Sequence, residues 1–222
     1  FKIILTGGGR VARGAIEVLD SLGVKKISKS DFIKKDFNYP TYVQLSTLDY
    51  YERIDGRDAS KDDFYSFPGQ YQSCLANYAI YADMLITGHY YAPNNPTILS
   101  KKDFRNPGFK IQVVGDISCD INGPIGCTIR PSTIQKPIYG YNPLTEKEGD
   151  YTQDNNIVVM AVDNLPCSLP RDASVDFGQV FIDEVLPDLI SNRIIISRAT
   201  IAMDGALTRR FEYLLDYVSW FF

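Results

Sequence analysis

The sequence predicts an α/β fold with a doubly wound, mostly parallel sheet. Three observations predict it. Short apolar runs suited to strands alternate with segments of helical periodicity. Several runs are apolar throughout, which suits strands covered on both faces. The first run enters a triple glycine that opens a helix.

The elements follow in order. Phe1–Thr6 (FKIILT) reads as a buried strand. Gly7–Gly14 is a glycine-rich turn that opens a helix from Val11 to about Leu22, and Gly23 suits the residue after its C-cap. Val24–Ser28 is a second strand and Thr41–Thr47 a third. Residues 48–75 are polar, charged and tyrosine-rich, and suit an exposed connection with helical pieces. Further strands are expected at Met84–Thr87, Phe109–Ser118 and Asn155–Pro166. Ala173–Ile190 is amphipathic at helical spacing. Arg193–Gly205 looks strand-like and then turns. Leu207, Phe211, Leu214, Leu215 and Val218 share one face of a last helix.

Composition bounds the function. The 222 residues are 45% hydrophobic and 23% charged, ordinary for a globular chain. A net charge of −4 argues against nucleic acid, which needs a basic surface. No apolar run approaches a membrane span, and no signal peptide is evident, so the expected location is cytoplasmic. Cys74, Cys119, Cys127 and Cys167 form no CxxC, and His89 is the one histidine. The cysteines read as reduced thiols, and no metal is expected.

Gly7-x-Gly9-x-x-Ala12 matches the dinucleotide fingerprint of the Rossmann fold. One glycine makes the tight turn and another admits the pyrophosphate. A small third residue lets helix and strand pack close. The helix N-terminus offers unpaired N–H groups to the phosphates. Gly7, Gly9, Arg10, Val11 and Ala12 are therefore cofactor-binding candidates. Asp31, just beyond the second strand, suits the ribose hydroxyls of NAD, while Lys29 and Ser30 suit the 2′-phosphate of NADP. NAD is the expected cofactor and NADP the alternative. The competing reading of the fingerprint is a loop that packs but no longer binds.

Three later stretches carry a resemblance: LITGHYYAPNNPTILS (85–100), KIQVVGDISCDINGPIGCTIRPSTIQKPIYGY (110–141) and VVMAVDNLPCSLPRDASVDFGQ (158–179). The Asp-x-Ser-x-Asp strand end and the later Asp-x-Leu-Pro-x-x-Leu-Pro-Arg-Asp-Ala-Ser are its most specific parts. The chain resembles the C-terminal, dinucleotide-binding half of the alanine dehydrogenase/transhydrogenase superfamily. Within it, the likeness is greatest to the NAD-dependent, lysine-forming saccharopine dehydrogenases. The resemblance implies a two-domain enzyme whose first domain supplies a catalytic Lys and His. Here residues 1–205 would be the dinucleotide-binding domain. Residues 206–222 would be a helix returning to a first domain that this chain lacks, with Tyr213, Tyr217, Trp220, Phe221 and Phe222 on it.

The resemblance also assigns residues. It makes Gly88 and Tyr90 cofactor contacts, Asn164 a residue near the nicotinamide, and Leu165 a backbone lining of the cofactor. Asp120 would stand in the active-site cleft, and Asp163 beside the amino-acid substrate; these two are the catalytic candidates. His89 lies in the wrong domain to be the family histidine, and a lone histidine is more often structural. Asp120 also reads as a turn cap before Asn122-Gly123-Pro124. Arg130 reads equally as an anion partner or a structural ion pair. Tyr71, Tyr78 and Tyr81 read as packing.

The expected function is an oxidoreductase acting on the CH–NH bond of an amino acid, of saccharopine dehydrogenase type. Two alternatives stay open: an alanine dehydrogenase-like or other imine reductase, and a non-catalytic dinucleotide-binding module. The expected partners are a small-molecule amino-acid substrate, the first domain and, in a homo-oligomer, further copies of the chain.

Overall fold

The structure is a computed structural model that describes residues 1–191 and 194–218. The chain divides into two compact units, residues 1–165 and 166–222, where the sequence had suggested a boundary at 205/206.

In the first unit the strands are β1 (Lys2–Thr6), β2 (Lys25–Lys26), β3 (Thr41–Leu45), β4 (Tyr51–Arg53), β5 (Tyr71–Ser73), β6 (Met84–Thr87), β7 (Val113–Asp116), β8 (Ile138–Asn142), β9 (Lys147–Gly149) and β10 (Ile157–Met160). The helices are α1 (Arg10–Ser21), α2 (Lys29–Lys34), α3 (Thr47–Tyr50), α4 (Lys61–Ser66) and α5 (Ala76–Ala79). Eight strands make one sheet in the order β2-β3-β1-β6-β7-β10-β8-β9. The pairings from β2 to β10 are parallel, and only the β8 and β9 edge is antiparallel. This is an α/β fold of Rossmann type.

All five residues of β1 are buried, as its unbroken apolar run requires. Its pleat divides them between two cores. Ile4 faces the large core with Val43, Leu45, Leu85, Val114 and Val159. Ile3 faces the other side, where Leu19 of α1 and Tyr42 close over it. The helix α1 ends as its sequence requires. The Gly23 N–H bonds Asp20 O and the Val24 N–H bonds Leu19 O, both at 3.0 Å, with Gly23 at φ +74°. This double bond is the Schellman stop, and the positive φ explains the glycine.

Several expectations need correction. The strand expected at Val24–Ser28 shrinks to two residues at the sheet edge, and β3 takes the place beside β1. Residues 48–75 hold the expected helical pieces and an exposed stretch at 54–62, but they are not exposed throughout. The antiparallel ribbon β4–β5 and α4 bury Tyr50, Tyr51, Phe64, Tyr71 and Leu75 in the large core. Phe64 stacks on Tyr51 at 4.7 Å between ring centroids and meets Tyr71 edge-on at 5.2 Å. Two of the tyrosines enter the core with their hydroxyls bonded, Tyr51 to Pro96 O at 2.5 Å and Tyr71 to Asp63 at 2.6 Å. Arg53 closes the ribbon by bonding Asp55, Asp63 and Gln70. The expected packing roles hold: Tyr71 is buried, and Tyr78 and Tyr81 pack against the core. The β8–β9 hairpin was not expected from sequence. It turns through Asn142, whose side-chain oxygen accepts the N–H groups of Leu144 and Thr145.

In the second unit, Pro170–Ser191 is helical throughout, with one wide π turn at Phe181–Val185, as the amphipathic pattern predicted. The run expected to be strand-like is helical at Ile194–Ala199. Short β-branched apolar runs fit either element, and here the helix prevails. Two-residue strands at Ala202–Met203 and Ala206–Leu207 follow, around a turn at Asp204-Gly205. The expected last helix is a 3-10 segment, Arg209–Leu214, with one α turn at Leu215–Val218. Trp220, Phe221 and Phe222 lie outside the described residues. Among the described residues, no helix is long and apolar enough to cross a membrane.

Truncating the ring at the centre of the ribbon tests its place in the core. Phe64→Ala is expected to cost about 3–5 kcal/mol in urea unfolding, the range for a buried aromatic. A loss below about 1 kcal/mol would mean the segment is an exposed connection after all.

Candidate functional site

The strand order reverses at β1. The chain leaves β1 toward β3 on one side and later returns through β6 on the other. Ligands of open parallel sheets bind at such a switch, at the carboxyl ends of the strands. Here those ends are the loops Gly7–Gly9 and Gly88–Tyr90.

Gly7 stands at φ +96°, and a Cβ there would lie 2.3 Å from Gly88 O. Gly88 is equally confined, since its Cβ would meet Ala12 Cα and Thr6 O at 3.0 Å. The two loops are thus pressed together with Ala12 beneath them. Gly8 and Gly9 differ, because space is open above both. Gly9 caps α1 without a side-chain bond, and the first turn of α1 contains no acid. Its leading N–H groups have no helical partner and face no compensating carboxylate.

The cleft above this turn has a volume of about 500 Å³ and is lined by Gly7, Gly8, Gly9, Arg10, Val11, Ser46, Thr47, Tyr50, Lys61, Tyr65, Gly88, His89 and Tyr90. No carboxylate is among them. The fit to a pyrophosphate rests on this uncapped helix start and the open faces of Gly8 and Gly9. Of the expected cofactor contacts, Gly7, Gly9, Arg10, Val11, Gly88 and Tyr90 meet in this cleft, with Ala12 buried under it.

Asp31 does not come to the cleft. It lies in α2, its N–H bonded to Ser28 Oγ and its carboxylate paired with Lys35 at 2.8 Å. That pairing holds Asp31 below the usual carboxylate range. The strand beside β1 is β3, and the residues that follow it, Ser46 and Thr47, line the cleft where Asp31 does not. Ser46, Thr47, Tyr50, Lys61 and Tyr65 escaped the sequence analysis because the strand order was needed to find them.

The next strand ends form a polar network. Asp116, at the end of β7, is fully buried with no cation against it. It accepts hydrogen bonds from the Thr87, Ser118 and Thr128 hydroxyls at 2.5–2.6 Å and from the Cys119 N–H at 3.1 Å. Four donors let a carboxylate remain buried. Cys119 follows in a left-handed conformation at φ +51°, with its thiol on Ala161 O at 3.0 Å. That bond ties the β7 end to the β10 end.

The charges of Asp116, Asp163 and Asp120 all reach Cys119; burial and then these carboxylates push its thiol up to about 11. The two catalytic candidates are therefore neighbours of one cysteine. Asp120 is half-buried, and burial with the charge of Asp116 raises its carboxyl above the usual range. Burial, and after it the charge of Asp120, raises Tyr91, one residue beyond the cleft. Asp163 and Asn164 are exposed in the turn after β10, and Leu165 starts a 3-10 segment. Neither Asn164 nor Leu165 lines the glycine-loop cleft.

Other candidates resolve structurally. Arg130 grips Glu148 with two bonds of 2.7 and 2.6 Å and lies over Tyr139. It is an ion pair on the hairpin. Among the described residues, no group of acids, cysteines and histidine is placed to hold a metal.

Known proteins sharpen this picture. The alpha-aminoadipic semialdehyde synthase of Arabidopsis thaliana is 28% identical over 242 residues, 95% of this chain and 22% of that protein. The mitochondrial alpha-aminoadipic semialdehyde synthase of Rattus norvegicus is 25% identical over 247 residues, 95% of this chain and 26% of its own length. The saccharopine dehydrogenase (NAD(+), L-lysine-forming) of Emericella nidulans is 28% identical over 112 residues, 49% of this chain and 28% of that one. The chain resembles the saccharopine dehydrogenases. No protein-family model matches it. The chain spans about a quarter of the length of the semialdehyde synthases it matches. The likeness to the semialdehyde synthases extends over 95% of the chain, and the saccharopine dehydrogenase match over about half of it.

His89 gives this site a pH signature. Its Nδ1 lies 2.7 Å from Thr6 Oγ1, its Nε2 is buried without a partner, and burial pushes the ring down to about 4 from 6.5. The unfolded chain therefore takes the proton first as pH falls. The stability this neutral ring contributes is intact above 6.5 and is lost toward 4, at up to about 1.4 kcal/mol per pH unit. The stability gap between the native chain and His89→Gln is expected to narrow over that window. As the one histidine, its imidazole NMR signal is unambiguous. A titration midpoint between 6 and 7 would mean the ring is solvated (about the free value).

Proposed function

We propose that this chain is the cofactor-binding part of a saccharopine dehydrogenase-like oxidoreductase. The reaction would be saccharopine with NAD(P) and water giving lysine, 2-oxoglutarate and NAD(P)H. The observation that carries the reading is the start of α1. It is uncapped, free of acids and open to a cleft at the switch point of the sheet. The similarity to alpha-aminoadipic semialdehyde synthases and saccharopine dehydrogenases supports the chemistry.

The roles of the residues follow from their places. The N–H groups of the first α1 turn hold the pyrophosphate, with Gly8 and Gly9 leaving it room and Arg10 adding positive charge. Gly88 and Tyr90 bound the far side of the same cleft. A bound nicotinamide supplies the hydride acceptor. Asp120 and Asp163, at the ends of β7 and β10, offer negative charge to the ammonium and to the cationic imine that hydride loss creates. Asn164 and Leu165 sit beside Asp163 to line the nicotinamide end. A first domain, of the kind the resemblance implies, would bring the proton-transferring Lys and His and complete the amino-acid pocket.

A charge placed at the helix cap tests the reading. Gly9→Asp fits the open space, and a capping aspartate is expected to leave the melting temperature unchanged or slightly raised. The same carboxylate would repel the pyrophosphate. Calorimetric affinity for the dinucleotide is expected to fall at least about tenfold, roughly 1.4 kcal/mol. Unchanged affinity would move the cofactor away from α1. Binding without turnover, after a first domain is supplied, would favour a non-catalytic module.

A further inference from the structure

The ring of His89 breaks an ordinary rule of packing. It is buried, and among the described residues its buried Nε2 has no hydrogen-bond partner. A buried polar atom left unpaired lowers stability, and a leucine would fill the space without that cost. Side chains that break such rules concentrate at functional sites. His89 stands at one, in the wall of the cleft above the glycine turn.

What the ring does provide is a bond between two strand ends. Its Nδ1 lies 2.7 Å from Oγ1 of Thr6, the last residue of β1, and the bond is buried. The Thr6 carbonyl also accepts the Gly88 N–H at 3.0 Å. One residue of β1 therefore holds two successive residues of the loop after β6, by its backbone and by its side chain. The backbone bond sets where Gly88 stands. The side-chain bond sets how the chain leaves it, toward Tyr90, which is exposed and lines the cleft. The ring also lies beside Tyr50 of α3, 6.1 Å away between centroids, and Tyr50 is another wall of the cleft. His89 thus joins the chain ends that follow β1, β3 and β6. Gly7 and Gly88 leave no room for a side chain between them, so a displaced Gly88 loop moves the wall that faces the first turn of α1.

We infer that His89 is a positioning residue, whose bond to Thr6 is a latch that holds the Gly88–Tyr90 loop against the glycine turn in the shape that receives a dinucleotide. The inference rests on the dinucleotide reading above and adds the side chain that keeps that site formed. The latch needs no proton transfer and no contact between the ring and the cofactor. It acts as the supporting hydrogen bonds of a binding site do, by fixing the groups that make the contact.

Three variants separate position from stability. Thr6→Val removes the hydroxyl, Thr6→Ser keeps it, and Thr6→Val with His89→Leu replaces the whole pair by apolar side chains. Each 222-residue chain is titrated with NADH and with NADPH, and its melting temperature is recorded. Thr6→Val is expected to weaken the dinucleotide that the native chain binds by about tenfold, the order of one hydrogen bond. Thr6→Ser is expected to restore affinity to within about threefold of native. The paired variant leaves no orphan nitrogen, so its melting temperature is expected to stay level or rise while its affinity stays about tenfold down. A stable paired variant that binds like the native chain would overturn the inference and leave the dinucleotide reading standing. So would native affinity in Thr6→Val, a comparison with Thr6→Ser that holds even if the paired variant fails to fold. Binding of neither dinucleotide by the folded native chain would overturn both.

Discussion

The contact of Gly7 with Gly88 is the constraint on which the site depends. Gly7 is pinned twice by the end of β3. Its N–H bonds Leu45 O at 2.8 Å, and its own carbonyl accepts the Gln44 side-chain amide at 3.0 Å. Gly88 is tied in turn by its N–H to Thr6 O at 3.0 Å. A side chain at Gly7 would drive these loops apart, since its Cβ would overlap a backbone carbonyl that cannot rotate away. Because the loops meet, α1 starts close over the sheet, and its bare N–H groups point to the switch between β1 and β6.

A second constraint orders the neighbouring strand ends. Asp116 collects three hydroxyls and one N–H from four positions, joining the ends of β6 and β7 to the loop at Thr128. The buried charge is stabilised by hydrogen bonds rather than a cation, so every donor must be in place. This network sets where Cys119 turns and therefore where Asp120 stands. Asp116 positions; the exposed or half-buried Asp163 and Asp120 are the carboxylates free to meet a ligand.

The aromatic ribbon gives the cleft its outer wall. Tyr50 is buried between the core and the ring of His89, 6.1 Å away between centroids. Phe64 anchors α4 to the core through Tyr51 and Tyr71, while Lys61 and Tyr65 of the same short helix line the cleft. The packing of Phe64 thus fixes where Lys61 and Tyr65 stand at the cleft.

The sequence alone determined the parts governed by local physics. The apolar run of β1, the glycine turn, the start of α1 and the Gly23 stop are each set by residues within a few positions of one another. Their element types and the binding candidates at Gly7, Gly9 and Arg10 were legible for that reason. The end-of-strand motifs were legible too, through their resemblance to a known pattern. The tertiary structure decided what depends on strand order and burial. It placed β3, not the shorter β2, beside β1, and so brought Ser46 and Thr47 rather than Asp31 to the cleft. It drew the tyrosines of a polar stretch into the core, where Tyr51 found its acceptor far along the chain at Pro96 and Tyr71 found one nearby at Asp63. It turned an isoleucine-rich run into a helix and folded an antiparallel edge that local pattern did not announce. For the strand order the deciding contacts join residues distant in sequence, and local propensity is nearly silent about such contacts.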